Sequence, residues 1–215
     1  MEGRPWHDKI AVVLLASHII FTAYGFWLPN DRRGSWSTLV RSPIRAQSGD
    51  ATKVDHTHSV ATRPHDRSQR FVAKAALARP PVRFTGVQCQ AIGAGFAQYV
   101  QRSHCALHAC AILPMHSHLG IARMTYAIEQ TANLLKRAAS AELSRRNLHP
   151  FQEETYANGK RPSPWSRHQW SVFLYDTADV HRSIAYVNNN PLKENKPPPA
   201  LVFRHPVLRE VKSPT

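Results

Sequence analysis

Residues 113–119 read Leu-Pro-Met-His-Ser-His-Leu, and what His116 and His118 could do depends on whether they share a face. On a strand, residues i and i+2 project to the same side, so both imidazoles would point together while Ser117 points away. Two imidazoles so placed can hold a divalent cation from adjacent corners, leaving substrate or water to complete the shell. The spacing is a weak signal by itself, and polar histidines on a wet sheet face account for it slightly better. His56 and His58 repeat the pattern in a stretch without a scaffold, a control for coincidence in a chain with 13 histidines.

A second pair lies downstream. Tyr186 and Asn190 are four residues apart and would stack on one face of a helix. Val180, Ile184 and Val187 define the buried stripe of that helix, and Tyr186 lies beside it. Most tyrosines at such a position anchor a helix edge to the core. The chemical alternative is a nucleophilic phenol with an amide one turn away that could serve as a third metal ligand. His104, Cys105, His108 and Cys110 do not form paired zinc knuckles. Strand alternation would set His104, His108 and Cys110 against Cys105, so a structural zinc site is not expected.

Several elements must position these residues. The run from His18 to Leu28 has the β-branched and aromatic content of a buried strand. Residues 29–84 read as a long irregular insertion, basic and broken by prolines, with a short helical stretch at 70–78. Thr85 is a candidate N-cap with Gln88 three residues on, opening a helix that runs through Ser103. Residues 105–113 and 116–122 read as the two strands of a hairpin around Leu113-Pro114-Met115. Thr125 is the expected cap of the next helix, whose stripe is Ile128, Ala132, Leu135, Ala139 and Leu143. Residues 147–166 look like loop and 170–175 like a strand. A last helix starts at Asp176 or Thr177, and Pro191 is expected to terminate it. The order β-α-β-β-α-β predicts an α+β fold, a ferredoxin-like antiparallel sheet with helices on one face. One domain over 1–193 and a basic, proline-rich tail over 194–215 complete the expected organisation.

Lys and Arg number 28 against 14 Asp and Glu, a formal charge of +14. So basic a chain is best explained by a polyanionic partner, since phosphates attract Lys and Arg through counterion release. Arg145, Arg146, Lys160, Arg161 and Arg167 are candidates to track a nucleic-acid backbone. Trp27, Trp36 and Trp165 are candidates to stack on unpaired bases, and each serves equally well as a core or loop anchor. Three cysteines are too few for a disulfide framework and fit a reducing, cytoplasmic setting. Residues 10–28 carry no formal charge and leave open a signal or membrane segment, although polar interruptions favour a strand, so no membrane is expected. No P-loop or glycine-rich phosphate loop occurs, so no nucleotide cofactor is expected.

The chain resembles the single-tyrosine HUH transposases, in particular the REP-associated tyrosine transposase group, in the IS200-like class. The resemblance is carried by HIIFTAYGFWLPNDRRGSWS, PPVRFTG, HACAILPMHSHL, IEQTANLLKRAAS, PSPWSRHQWSVFL and DVHRSIAYVNNNPLKE, in family order from about His18 to Lys193. It implies His116 and His118 as ligands of Mg²⁺ or Mn²⁺, Asn190 as the polar third ligand, and Tyr186 as nucleophile. The implied activity is metal-assisted cleavage and rejoining of single-stranded DNA beside hairpin repeats, through a 5′-phosphotyrosine link. A homodimer that exchanges helices and a monomer both stay open. Two departures stand at the site: Ser117 where the family usually has a hydrophobic residue, and Met115 where it commonly has Asp or Asn. Both could loosen the strand that aims the histidines, so a weakened or inactive nucleic-acid-binding protein is the alternative.

Overall fold

A computed structural model describes residues 13–31, 34–35, 49–54 and 67–195. Strand β1 (Ala16–Ala23) lies inside a four-stranded antiparallel sheet, paired to β3 (His116–Ala122) on one side and β4 (Trp165–Leu174) on the other. With β2 (Leu107–Ile112) outside β3, the order is β2-β3-β1-β4, the ferredoxin-like arrangement of an α+β fold. Three helices complete the framework: α2 (Gly86–Ser103), α3 (Ile128–Arg145) and α4 (Thr177–Lys193). Helix α1 (Arg67–Ala75) falls in the insertion, slightly ahead of the helical stretch expected at 70–78.

Both faces of the sheet are covered, which explains why β1 carries apolar residues on both faces rather than a clean alternation. Ile19, Phe21 and Ala23 join the main core with Ile92 and Phe96 of α2 and Leu135 and Ala139 of α3. Ala16 points the other way, into a smaller cluster with Leu174 and Val180 of α4. The expectation of helices on one face therefore holds for α2 and α3, whereas α4 packs on the opposite face, with Val187 against Ala109 and Ala111 of β2. α2 and α3 meet closely at Gly95, where a Cβ would stand 2.7 Å from the Ala138 carbonyl and 2.8 Å from Ala139 Cα.

Several boundaries differ from the sequence reading for local reasons. β1 stops at Ala23 and does not reach Leu28, because the chain turns at Gly25, whose φ of 74° suits glycine. The capping box at Thr85 forms as the sequence indicates, with reciprocal bonds between Thr85 and Gln88. Thr125 does not cap α3; Ala127 holds the N-cap place without a side-chain bond, and the helix begins where its buried stripe begins, at Ile128. β4 starts at Trp165 and not Trp170, since Trp165 pairs with Ala23 beyond a register shift while its polar neighbours give no strand signal. Pro191 does not end α4. It sits in the last turn, where its missing N–H forgoes one helical hydrogen bond near the end of the helix, and the helix closes after Lys193 with Asn195 in the left-handed region at φ 52°.

The β2–β3 hairpin closes with the Leu113 N–H donating to the His116 carbonyl at 2.9 Å. A register shift between Leu107 and Ala109 changes the expected alternation in β2. Leu107 and Cys110 both face the main core, and Cys105, expected opposite Cys110, packs into the same cluster. His104 is no strand residue; it caps α2 in the left-handed conformation. No helix among the described residues is long and apolar enough to cross a membrane.

Candidate active site

The register that pairs β1 with β3 sets Ile20 opposite His118 and Thr22 opposite His116. Both histidines lie on the face that α4 covers, as the i, i+2 spacing requires. Asp176 caps α4 by accepting from the Asp179 N–H, and the Val180 and Val187 contacts fix the rotation of the helix on the sheet. That rotation brings Tyr186 over the histidines of its own chain. Ring centroids stand 4.9 Å apart for His116 and His118, and 5.6 Å for His118 and Tyr186. Asn190, buried one turn after Tyr186, has its side chain close enough to both Tyr186 and His116 to influence their protonation. The four residues singled out by motif are therefore one cluster.

Their environment favours neutral imidazoles. Burial lowers His118 to about 2, helped by the positive charges that His116, His18 and Lys193 would present. Burial also lowers His116, opposed by the Glu194 carboxylate and the nearby Asn190 side chain. Neutral imidazole is the ligating form. The Tyr186 phenol is pushed up by burial, partly offset by Asn190, so it is protonated at neutral pH. Lys193 Nζ lies 4.4 Å from the Tyr186 ring centroid, and His116 Nε2 lies 3.7 Å from Glu194 Oε1. Phe26 stacks on the far side of His116, at 5.5 Å and 10°.

These residues suit a divalent cation in part. Among the described residues, no three His, Cys, Asp or Glu side chains form a group that could hold a metal ion. An ion here would rest on two imidazoles, one amide and oxygens of the substrate, an open set appropriate to a catalytic rather than a structural site. The His116 Nδ1 atom is buried without a hydrogen-bond partner, a donor or acceptor with no role inside the protein.

Ser117 carries the departure noted in the sequence. Its side chain turns toward the main core, 1% exposed, and its hydroxyl finds no partner. A buried hydroxyl left unpaired costs about 1–3 kcal/mol. Ser117→Ala should therefore raise stability by roughly 1 kcal/mol, read as a higher denaturation midpoint at unchanged slope. An unchanged or lower midpoint would mean the hydroxyl is satisfied.

A cleft of about 1920 Å³ runs from the histidines and Tyr186 along β4 to the 149–164 segment. Lys160, Arg161 and Arg167 line it, which joins three of the five basic candidates to the cluster. Arg145 and Arg146 lie outside it. Both are held by the buried Glu142 carboxylate, Arg145 through two bonds at 2.7 and 2.8 Å and Arg146 through one at 2.6 Å. Their first role is thus to satisfy that carboxylate. Trp165 is likewise no stacking platform: it is 3% exposed, packs against Phe21 and Phe84, and donates its indole N–H to Ser140 Oγ at 3.1 Å. Trp27, half-buried at the cleft, donates to the Gly34 carbonyl at 2.9 Å. Trp36, His56 and His58 lie outside the described residues, as do residues 10–12 of the uncharged N-terminal run and 196–215 of the tail.

Glu142 yields a pH prediction. Its hydrogen bonds from Arg145, then from Arg146 and Gln98, hold its carboxyl at about 2. A carboxyl depressed in the folded state contributes stability that is present above its unfolded pKa and lost as pH falls through the folded value. Glu142→Gln should thus destabilise at pH 7 by roughly 1.5–3 kcal/mol, the usual worth of charged hydrogen bonds. The gap to the parent protein should shrink from about pH 4.5 toward pH 2 in denaturation titrations. A gap constant with pH would contradict this assignment.

The sequence reading missed His18, although it lies in the segment that opens the family resemblance. His18 on β1 completes the cluster: Nε2 lies 3.2 Å from His118 Nδ1, and its ring meets Tyr186 at 5.7 Å. Burial lowers it to about 4. The signal available was its parity with Ile20 and Thr22, which only the β1–β3 pairing turns into proximity.

No family model matches the sequence, and no curated protein matches it. Among solved structures, a REP-associated tyrosine transposase bound to a REP hairpin is similar to this chain, with a TM-score of 0.42 and 10% sequence identity. The match covers 90% of this chain and 74% of that one.

Proposed function

We propose that this protein cleaves and rejoins single-stranded or hairpin DNA through Tyr186, with His116, His118 and Asn190 holding Mg²⁺ or Mn²⁺. The observation that carries the reading is the packing of Tyr186 against His118 with the Asn190 side chain beside both Tyr186 and His116, at the end of a cleft lined by basic side chains. Tyr186 Oη attacks the scissile phosphorus and loses its proton; the P–O3′ bond breaks, leaving a 5′-phosphotyrosine and a free 3′-hydroxyl. Attack by a 3′-hydroxyl on that link reverses the step and restores the phenol, so the bond energy is kept and no nucleotide is needed. A bound divalent cation would polarise the phosphate and offset the charge of the in-line transition state. Asn190 orients the phenol, Lys193 adds positive charge beside it, and Lys160, Arg161 and Arg167 hold the DNA backbone. Covalent capture of a labelled single-stranded hairpin in Mn²⁺ tests the proposal.

One observation favours a second reading, a weakened or non-catalytic DNA-binding protein: the unpartnered Ser117 hydroxyl in the strand that aims both histidines. Under that reading the hairpin binds but no adduct forms, and Ser117→Val improves or restores capture. Robust capture by the unaltered protein sinks it.

A further inference from the structure

We infer that His18 is a positioning residue that sets which nitrogen of His118 is open to the site, by accepting the His118 Nδ1 proton on its own Nε2. The inference rests on the metal-assisted reading above and adds to it a residue from a different strand.

The two nitrogens are 3.2 Å apart and both rings are buried, at 6% and 4% exposure. A neutral imidazole carries one N–H, so only two arrangements make this bond. In the first, His118 Nδ1–H donates to His18 Nε2, and the Nε2 lone pair of His118 is left for a ligand. In the second, His18 Nε2–H donates to His118 Nδ1, which forces the His118 proton onto Nε2 and closes that atom to a cation. Ligating histidines commonly donate their other N–H to an acceptor that fixes tautomer and ring direction. Here that acceptor is a second histidine, and only the first arrangement leaves His118 competent.

The location of His18 suits the task. β1 is an inner strand, paired through His18 to Gly120 on one side and to Val172 on the other, so its backbone is held from both edges. His18 and His118 are diagonal neighbours across β1 and β3, within reach of ring side chains. The edge of Trp170 at 5.6 Å and the Tyr186 ring at 5.7 Å flank the His18 imidazole. One imidazole thus touches both the ligand histidine and the nucleophile, and a change at His18 would be felt by both.

The test begins with the unaltered, metal-free full-length protein, labelled with ¹⁵N-histidine, whose ring ¹⁵N–¹H correlations report each tautomer. His118 is expected in the Nδ1–H form. His18→Leu should shift it toward Nε2–H and weaken Mn²⁺ binding by about 10–100-fold in an EPR titration, the usual effect of removing such a partner. His18→Gln, whose amide oxygen can accept the same proton, should recover most of that affinity; a role in packing alone would not distinguish Leu from Gln in this way. Finding His118 as Nε2–H in the unaltered protein overturns the inference, without needing any variant to fold. So does loss of one coordinated imidazole from the Mn²⁺ spectrum of His18→Leu, which would make His18 a ligand. Because the tautomer is read without metal or DNA, its failure leaves the capture assay untouched, and failure to capture DNA leaves the tautomer standing.

Discussion

Tyr186→Phe is expected to abolish covalent capture and to lower cleavage by at least about three orders of magnitude while hairpin binding stays within a few fold. The substitution removes one oxygen and keeps the ring, so the contacts to His18 and His118 and the cation–π contact with Lys193 remain. The polar contact at stake is with the Asn190 side chain, and its loss costs at most about 1 kcal/mol. A phenol pushed up by burial is not a nucleophile by accident of ionisation, so the oxygen itself must be the reacting group if the proposal holds. Gel separation under denaturing conditions reads the adduct, and filter binding reads affinity. A variant that still captures DNA would assign the nucleophile elsewhere.

The second large effect belongs to His118→Ala. Removing this imidazole takes away one of the two proposed nitrogen ligands and leaves the His18 ring with a buried, unpaired nitrogen, at a cost of about 1–3 kcal/mol. Mn²⁺ binding is expected to weaken by at least about 100-fold, more than for loss of an outer partner, and cleavage at limiting metal is expected to disappear. Thermal denaturation separates the two consequences, since the stability loss persists in chelator and the metal effect does not. If metal affinity survives in a variant whose fold is intact, the cation is held by another set of residues.

How far the site was legible in the sequence follows from the range of the interactions involved. Thr85 with Gln88, Asp176 before α4, and the i, i+2 histidines are local patterns, and each forms as written. Tyr186 and Asn190 lie on one helix face, so their neighbourhood also followed from spacing. What spacing could not supply was the rotation of α4 on the sheet, which Val180, Val187 and small β2 residues decide. His18 is 100 residues from His118, and its proximity exists only through strand register. Arg145 and Arg146 read as candidates for a nucleic-acid backbone because the burial of Glu142, three and four residues away, is set by helix packing that spacing does not reveal. Trp165 read as a loop aromatic because its strand neighbours Ser166, Arg167, His168 and Gln169 are polar. An edge strand whose pattern is set by cross-strand pairing has no periodic signature of its own.

The alternative of a weakened enzyme turns on a small distance. Ser117 points away from the face that carries His116 and His118, and its hydroxyl has no hydrogen-bond partner. Its influence would pass through β3, and positioning errors of about 1 Å are enough to cost a catalytic step 10²-fold. The stability gain of Ser117→Ala and its effect on capture are therefore linked measurements. A gain in both would locate the defect in the strand.

The most direct test of the central claim is the mass of the DNA-linked peptide. The protein is incubated with a single-stranded hairpin substrate and Mn²⁺, denatured, digested with nuclease and trypsin, and mapped by tandem mass spectrometry. The account predicts a nucleotide joined through a 5′-phosphate to Tyr186, in the peptide that continues to Lys193. A link on any other residue, or cleaved DNA with no protein attached, would contradict it.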